Sequence, residues 1–535
     1  MYESEVTEMM KKRVPALMLA SAIALSAAGC SGGNQPSSGS AAPSTSGTPS
    51  STATAPDKDL VVAFNTDIQS MDPHNTTDTL SITVSRTMYE SLVTFDENQK
   101  VVPLLAESYT AESDNLTYTF KLRQGVKFHD GTDFNADAVI ANYERCLADT
   151  TLRQNSRVAK WESCTKVDDY TVAIKLKEPN SSFINQFTQF QIVSPKALEE
   201  GTDLNKAEAG TGQYTFKEHT EGDHVTVVPY ADYWGTKATV DSLTFRAVPE
   251  DGSRVAMLQT GEADYIYPMP TVQADQVNGT DNITVGSVAS NIMRYVTLNT
   301  NLPELSDKRV RQAMNYAIDK QAYAQVVFSG YCEEVLSCYP STVSYYAPQT
   351  PYTYDLDKAK SLMEEAGYGD GFSLTLWGDN ISAEQTGMQF IMQQLAQIGI
   401  TVEVLPMEPS TLSDMIYVDE DQAEINMWYV NWSASSFDAD GSMRSILHSD
   451  MVPPKSANTA YFRNSEFDSL LDQAIKTSDT DTLTDLYAQA QAIVWDEAPW
   501  LFLGNDELVY GAKTYVSGIV LNPDGSVNVT NATLA

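Results

Sequence analysis

A strand–helix–strand pattern between residues 372 and 404 constrains the fold of this chain more than any other segment. Residues 372–377 and 400–404 both read as strands, because apolar residues recur in short runs of strand length. Between them, four apolar residues lie on one face of a helix: Met388, Ile391, Met392 and Leu395. A strand, a crossover helix and a second strand place the two strands parallel in one sheet. The segment therefore predicts an α/β fold.

Further segments extend this interpretation along the chain. Strands are predicted at 60–64, 116–122 and 171–176, and a hairpin at 215–228 around Glu221-Gly222-Asp223. Helices are predicted at 310–318, capped by Ser306 or Asp307, and at 359–366, ended by Gly367. At about 100–200 residues per domain, 535 residues allow three or more domains. We therefore expect more than one sheet.

The first 56 residues read as processing and linker sequence. Lys11, Lys12 and Arg13 precede an apolar run that is shorter than a membrane span, and small residues then lead to Cys30. Ala27-Ala28-Gly29-Cys30 resembles the bacterial lipobox, in which the cysteine receives lipid. Residues 31–56 are dominated by Ser, Gly, Pro, Thr and Ala, a composition that cannot bury a core. We predict a lipoprotein signal peptide at 1–29, lipid attachment at Cys30 and a flexible tether at 30–56.

Four cysteines follow the tether, and an even number outside the cytosol permits disulfides in three connectivities. We favour the local pairs, and free buried thiols stay open as the alternative. The candidates are Cys146, Cys164, Cys332 and Cys338.

The charge balance and the absence of catalytic motifs exclude several functions. The 71 Asp and Glu against 34 Lys and Arg give a formal net charge of −37, which argues against nucleic acid or anionic lipid as a partner. No nucleotide-binding loop, metalloprotease motif or hydrolase elbow occurs in the folded part. We expect no enzyme activity, no metal and no cofactor. A lipid-anchored hydrolase is the alternative from another class, and it lacks a nucleophile–base signature.

An ordered set of motifs is spread along residues 57–535. In this order the set closely resembles the extracellular solute-binding protein family 5, the oligopeptide and dipeptide receptors of ABC importers. The motifs that carry the resemblance are Met71-Asp72-Pro73-His74, Tyr89-Glu90-Ser91-Leu92-Val93, Lys127-Phe128-His129-Asp130-Gly131, Gly210-Thr211-Gly212-Gln213-Tyr214, Asp232-Tyr233-Trp234-Gly235, Leu258-Gln259-Thr260-Gly261-Glu262 and Val310-Arg311-Gln312-Ala313.

The resemblance implies a two-lobed Venus-flytrap fold with an extra α/β subdomain in lobe I. Lobe I would comprise 57–100, 210–290 and 508–535, with the extra subdomain at 101–209. Lobe II would comprise 291–507, and two crossovers near 288–294 and 503–510 would form the hinge. The motifs are expected to be structural; His129-Asp130-Gly131, for example, is expected to form a turn.

The resemblance also implies a binding region around residues 427–438. Peptide receptors of this family often have Gly-Trp-x-x-Asp here, and the Asp grips the α-ammonium of the peptide. Aligning Trp432 with the family Trp places Ser435 where that Asp is expected, so the clamp is absent or displaced to Asp438. Trp428, Tyr429 and Trp432 either wall the pocket or belong to the core. Arg294 either meets a ligand carboxylate or forms a structural salt bridge.

The implied function is capture of a ligand between two lobes and delivery to a membrane permease, with a separate ATPase subunit driving release. A peptide is the favoured ligand. The alternatives are a metal–chelate, an oligosaccharide, a modified amino acid, or a sensory or adhesive role without delivery. We expect a monomer outside the cytoplasm, lipid-anchored to the outer face of the bacterial plasma membrane, or on the periplasmic side if two membranes are present.

Overall fold

The computed structural model describes residues 58–76, 78–206, 209–433 and 436–535. The predicted signal peptide, Cys30, the tether and Ser435 lie outside these residues. One large sheet dominates, in the strand order β15-β14-β16-β12-β17-β11-β1-β10-β9-β8, with β13 paired to β17. Its strands are β1 (Asp59–Phe64), β8 (Tyr214–Thr220), β9 (His224–Pro229), β10 (Ser242–Ala247), β11 (Tyr265–Tyr267), β12 (Ile283–Leu298), β13 (Cys332–Glu333), β14 (Phe372–Asp379), β15 (Ile400–Met407), β16 (Met427–Ser433) and β17 (Trp500–Lys513).

A second sheet has four antiparallel strands in the order β4-β5-β7-β6: β4 (Ala106–Ala111), β5 (Thr117–Leu122), β6 (Trp161–Asp168) and β7 (Thr171–Leu176). Its core is rich in aromatic side chains, which include Phe120, Phe134, Trp161 and Phe187. Short strand pairs complete the β structure: β2 (Val93–Phe95) with β3 (Val101–Pro103), β18 (Val516–Ser517) with β21 (Thr533–Leu534), and β19 (Val520–Leu521) with β20 (Val527–Asn528).

Helices cover both sheets. They are α1 (Thr79–Met88), α2 (Ala136–Ala148), α3 (Asn155–Val158), α4 (Phe183–Phe187), α5 (Pro195–Glu199), α6 (Asp251–Thr260), α7 (Thr271–Val277), α8 (Pro303–Ser306), α9 (Lys308–Tyr316), α10 (Lys320–Phe328), α11 (Leu356–Glu365), α12 (Ser382–Ala396), α13 (Pro409–Ile416), α14 (Ala439–Leu447), α15 (Ser465–Ala474) and α16 (Thr480–Glu497). Among the described residues, none of these helices is both long and apolar enough to cross a bilayer.

The prediction of a mixed α/β fold is confirmed. The strand–helix–strand segment between residues 372 and 404 has the predicted parallel geometry. Strands β14 and β15 are parallel from Phe372 opposite Ile400 to Asp379 opposite Met407, and α12 connects them. Of the two cap candidates for α9, Asp307 takes the role, because its carboxylate accepts a hydrogen bond from the Arg309 amide at 2.9 Å.

Two long strands, β12 and β17, lie side by side in the interior of the large sheet. Strands β12 and β17 pair along their length, but the register shifts between Ala289 and Met293. Asn505 lies opposite this bulge and is 3% exposed. Its side-chain amide donates to the carbonyls of Ser290 and Ile292, both at 3.0 Å. The predicted crossovers near 288–294 and 503–510 fall inside these two strands, whereas the predicted domain boundaries stay a prediction.

The family motifs meet through one buried carboxylate. Glu90 accepts hydrogen bonds from the Thr211 hydroxyl at 2.8 Å, the Tyr233 hydroxyl at 2.8 Å and the Trp234 indole at 2.9 Å. Burial raises the pKa of Glu90, and these donors oppose that shift. Gly212 is required beside them, because a Cβ there would lie 2.5 Å from the Met88 carbonyl carbon. Three separate motifs are thus needed to build one packed junction.

The segment His129-Asp130-Gly131 forms the predicted turn. The Phe128 amide donates to the Thr132 carbonyl at 2.8 Å, and Gly131 has a φ of +83°, which favours glycine. The His129 amide donates to the Gly210 carbonyl at 2.8 Å, so the turn is fastened to the next motif. These structural contacts explain why this motif has a glycine at 131 and how its turn is held against Gly210.

The predicted disulfides are not formed, and the alternative of free thiols holds. All four cysteines are free and buried. Cys332 and Cys338 are close in sequence, but their side chains belong to different cores on opposite faces of the large sheet. Cys146 and Cys164 share the core of the four-stranded sheet as separate thiols. Burial raises the pKa of Cys146, Cys164 and Cys338 to about 12, which keeps these thiols protonated.

Candidate ligand-binding cleft

The alternation of β16 divides the predicted aromatic residues between two faces. Trp428 and Trp432 lie on one face, partly buried, and pack against one core. Tyr429 lies on the other face, is 1% exposed, and its hydroxyl hydrogen-bonds with that of Tyr323. These three side chains therefore cannot wall one pocket together. The Trp432 indole N–H is buried and has no hydrogen-bond partner within the described part of the chain.

Arg294 forms the salt bridge that was one of its two predicted roles. Its Nε and Nη2 donate to the Asp506 carboxylate at 3.0 and 2.9 Å, and Nη1 lies 3.3 Å from Glu384. The side chain is 15% exposed. The nearby carboxylate of Asp506 raises the pKa of Arg294 although burial opposes the charge. This guanidinium is already neutralised without a ligand.

Asp438 begins helix α14. Its Oδ1 accepts a hydrogen bond from the Gly441 amide at 2.6 Å, and the Ser436 hydroxyl donates to its Oδ2. An N-cap of this kind stabilises the helix. The residue is buried, yet it contributes to the walls of two cavities. Asp438 thus combines a structural role with a position at the cleft, and in the sequence it follows Ser435 by three residues.

Three cavities meet in this region. One of 790 Å³ and one of 450 Å³ share Gln99 and Asn522, and a third of 520 Å³ shares Asp438 with the first. In the chain, Gln99 precedes β12 and Asn522 follows β17. Asp438 and the neighbouring Phe437 lie between these two strands. The cavities are therefore lined both by residues outside the segment from β12 to β17 and by residues between these two strands in the chain.

Direct contacts also cross the cleft. The Asn185 side chain donates to the Ser436 carbonyl at 3.0 Å, and the rings of Phe95 and Phe437 meet edge to face at 5.2 Å between centroids. Sequence reasoning missed Phe95 and Asn185, because neither belongs to a motif and each meets a partner more than 200 residues away. In the described ranges, no three His, Cys, Asp or Glu side chains are grouped so as to hold a metal ion.

The family comparison covers most of the chain. The model of the bacterial extracellular solute-binding proteins, family 5, matches residues 100–452. The glutathione-binding protein GsiB of Salmonella typhi is 38% identical over 484 residues, which cover 89% of this chain and 94% of that protein.

Solved structures give the same result. HbpA2 from Haemophilus parasuis matches with a TM-score of 0.82 and 28% identity, covering 89% of this chain and 100% of that chain. DppA from Helicobacter pylori, an ABC transporter-associated periplasmic binding protein in complex with the peptide STSA, matches with a TM-score of 0.69 and 27% identity. That match covers 89% of this chain and 98% of that chain.

Proposed function

Because the chain belongs to family 5 of the bacterial extracellular solute-binding proteins, we propose that it captures an oligopeptide or dipeptide between its lobes for an ABC importer. Proteins of this family act outside the cytoplasm and are binding proteins rather than enzymes. The captured ligand would pass to a membrane permease, and a separate ATPase subunit would drive its release.

The observation that carries this proposal is a cleft whose walls come from both sides of β12 and β17. A ligand in the 790 Å³ cavity would contact Asn522 on one side and Asp438 on the other. A ligand that makes such contacts only when the lobes are closed shifts the equilibrium towards the closed form. The bulge at Ala289–Met293 is a local irregularity about which the two long strands can bend.

A peptide suits the chemistry of these walls. Asp438 supplies a carboxylate for an ammonium, three residues beyond the position that the family motif predicts. The peptide in the DppA complex supports the same ligand class.

Glutathione is the second candidate, and the 38% identity to GsiB favours it. A metal–chelate, an oligosaccharide or a modified amino acid stays an alternative. So does a sensory or adhesive role without delivery to a permease.

The proposed setting is a lipid-anchored monomer on the outer face of the plasma membrane, or the periplasmic side where two membranes exist. Cys30 would carry the lipid, and residues 31–56 would tether the folded part. Mass spectrometry of the mature N-terminal peptide tests the anchor. A lipid-modified cysteine at position 30 is expected, and an unmodified N-terminus elsewhere would contradict it.

Native mass spectrometry of protein purified without refolding tests the ligand. Bound peptide masses are expected; a single mass of glutathione would favour the second candidate. A metal–chelate or sugar mass would refute both. Adding each bound compound back and recovering it chemically altered would refute a binding role. In addition, Ser435→Asp is expected to strengthen binding of peptides with a free amine, and unchanged or weaker binding would show that the amine site is misplaced.

A further inference from the structure

The 520 Å³ cavity lies between the four-stranded sheet and helix α14. Aromatic side chains of the sheet's core form part of its wall: Trp161, Phe183, Phe187 and Phe190. Asp438, Asp440 and Arg444 line it from the other side. The two walls differ in charge, because the first wall also contains Arg157, Lys160 and Lys177 with Glu178 as its acid.

Arg157 has no carboxylate partner. Among the described residues, no Asp or Glu oxygen lies within 4.0 Å of its guanidinium. The partly buried Arg145, Arg294 and Arg444 each have such a partner, Asp72, Asp506 and Asp440 respectively. Burial without a compensating acid lowers the pKa of Arg157 to about 10.

Two glutamines hold the guanidinium in place instead. Nη1 donates to the Gln154 side-chain oxygen at 3.3 Å, and Nη2 donates to that of Gln189. Gln154 is itself fixed, because its Nε2 donates to the Gln189 carbonyl at 2.8 Å. A guanidinium has five N–H donors, and these bonds use two of them. The remaining three N–H groups have no acceptor among the described residues, and Arg157 lines the cavity.

We propose that Arg157 binds a carboxylate of the ligand, with the apolar part of that ligand end packed on the neighbouring aromatic side chains. This inference rests on the proposed peptide function. For a peptide, the group is its terminal carboxylate or an acidic side chain. Arg294, for which a ligand carboxylate was one of two predicted partners, is already paired with Asp506. Arg157 has no carboxylate partner among the described residues.

A competition between two peptide libraries tests this assignment. The libraries share their sequences, which contain no Asp or Glu, and one has free C-terminal carboxylates while the other has C-terminal amides. Bound species are counted by native mass spectrometry on the full chain. We expect the wild type to enrich the free acids at least tenfold. Equal enrichment of acids and amides would overturn the subsite but leave peptide capture standing.

Variants then assign the preference to Arg157. Arg157→Gln is expected to reduce the preference below threefold, and Arg157→Lys to retain an intermediate preference. Arg153→Gln is the matched control, because Arg153 is exposed on the same segment and lies outside this cavity; it should behave as the wild type does. An equal loss in both glutamine variants would overturn the assignment. Failure of the wild type to bind either library would overturn the proposed function itself.

Discussion

Asn505 is expected to hold the bulge between β12 and β17, and Asn505→Ala tests this. Its Nδ2 lies 3.0 Å from the Ser290 and Ile292 carbonyls, and the side chain is 3% exposed. After the substitution, Ser290 O keeps a bond from the Thr342 hydroxyl at 3.0 Å. Ile292 O keeps a long contact of 3.4 Å with the Ser290 hydroxyl.

The magnitude follows from these lost bonds. One buried carbonyl left largely unsatisfied costs about 1–3 kcal/mol, and the second lost bond adds about 1 kcal/mol at most. We expect the free energy of local opening to fall by about 2 kcal/mol. At 1.4 kcal/mol for a factor of ten, that is roughly 30-fold faster amide exchange in residues 288–293 and 503–507.

Hydrogen exchange read by mass spectrometry measures this directly. Asn505→Asp keeps the shape but removes both donors, so it separates lost hydrogen bonds from lost volume and should exchange at least as fast. Asn431→Ala is the control, because Asn431 is exposed on the neighbouring β16 and makes one bond of 3.3 Å. Exchange within about twofold of the wild type in both Asn505 variants would refute the reasoning, since about 0.4 kcal/mol is below one buried hydrogen bond.

Two further predictions concern single residues, and a third concerns the four described cysteines. Asp438→Asn keeps a good N-cap for α14 but removes the charge, so calorimetry should show unchanged thermal stability and at least tenfold weaker binding of peptides with a free amine; unchanged affinity would contradict the clamp. Burial lowers the pKa of His74 from 6.5 to about 4, so the unfolded chain binds this proton more readily. The contribution of neutral His74 to the free energy of unfolding is complete above about pH 6.5. It falls by about 3 kcal/mol as the pH drops towards 4. His74→Gln should flatten this part of the curve of thermal midpoint against pH, and an equal slope would refute it. Alkylation without reducing agent should label every described cysteine after unfolding, and protected pairs would restore the disulfide prediction; the sites are Cys146, Cys164, Cys332 and Cys338.

The elements that the sequence predicted correctly are those determined by residues close to one another in the chain. The β14–α12–β15 unit and helix α9 follow from apolar spacing and a cap within a few residues. The sequence also predicts that Trp428 and Trp432 lie on the opposite face of β16 from Tyr429, because odd and even positions of a strand face opposite sides. The prediction of one shared aromatic wall overlooked this parity.

The cleft could not be predicted in the same way. Asn185 meets Ser436 across 251 residues, and Arg157 shares a cavity with Asp438 across 281 residues. The disulfide prediction failed for a related reason. A separation of six residues between Cys332 and Cys338 says nothing about which face of the sheet each thiol enters.

The charge composition strengthens the case for Arg157 as a ligand contact. Acidic residues outnumber basic ones by 71 to 34, so a carboxylate partner is easily supplied in this chain. Arg294 illustrates the abundance, since it has Asp506 and Glu384 within reach. A desolvated guanidinium held by two neutral amides is the costlier arrangement for folding alone. The arrangement becomes favourable when a carboxylate of the ligand compensates the guanidinium charge. The stabilisation that is absent from the free energy of folding then contributes to the free energy of binding.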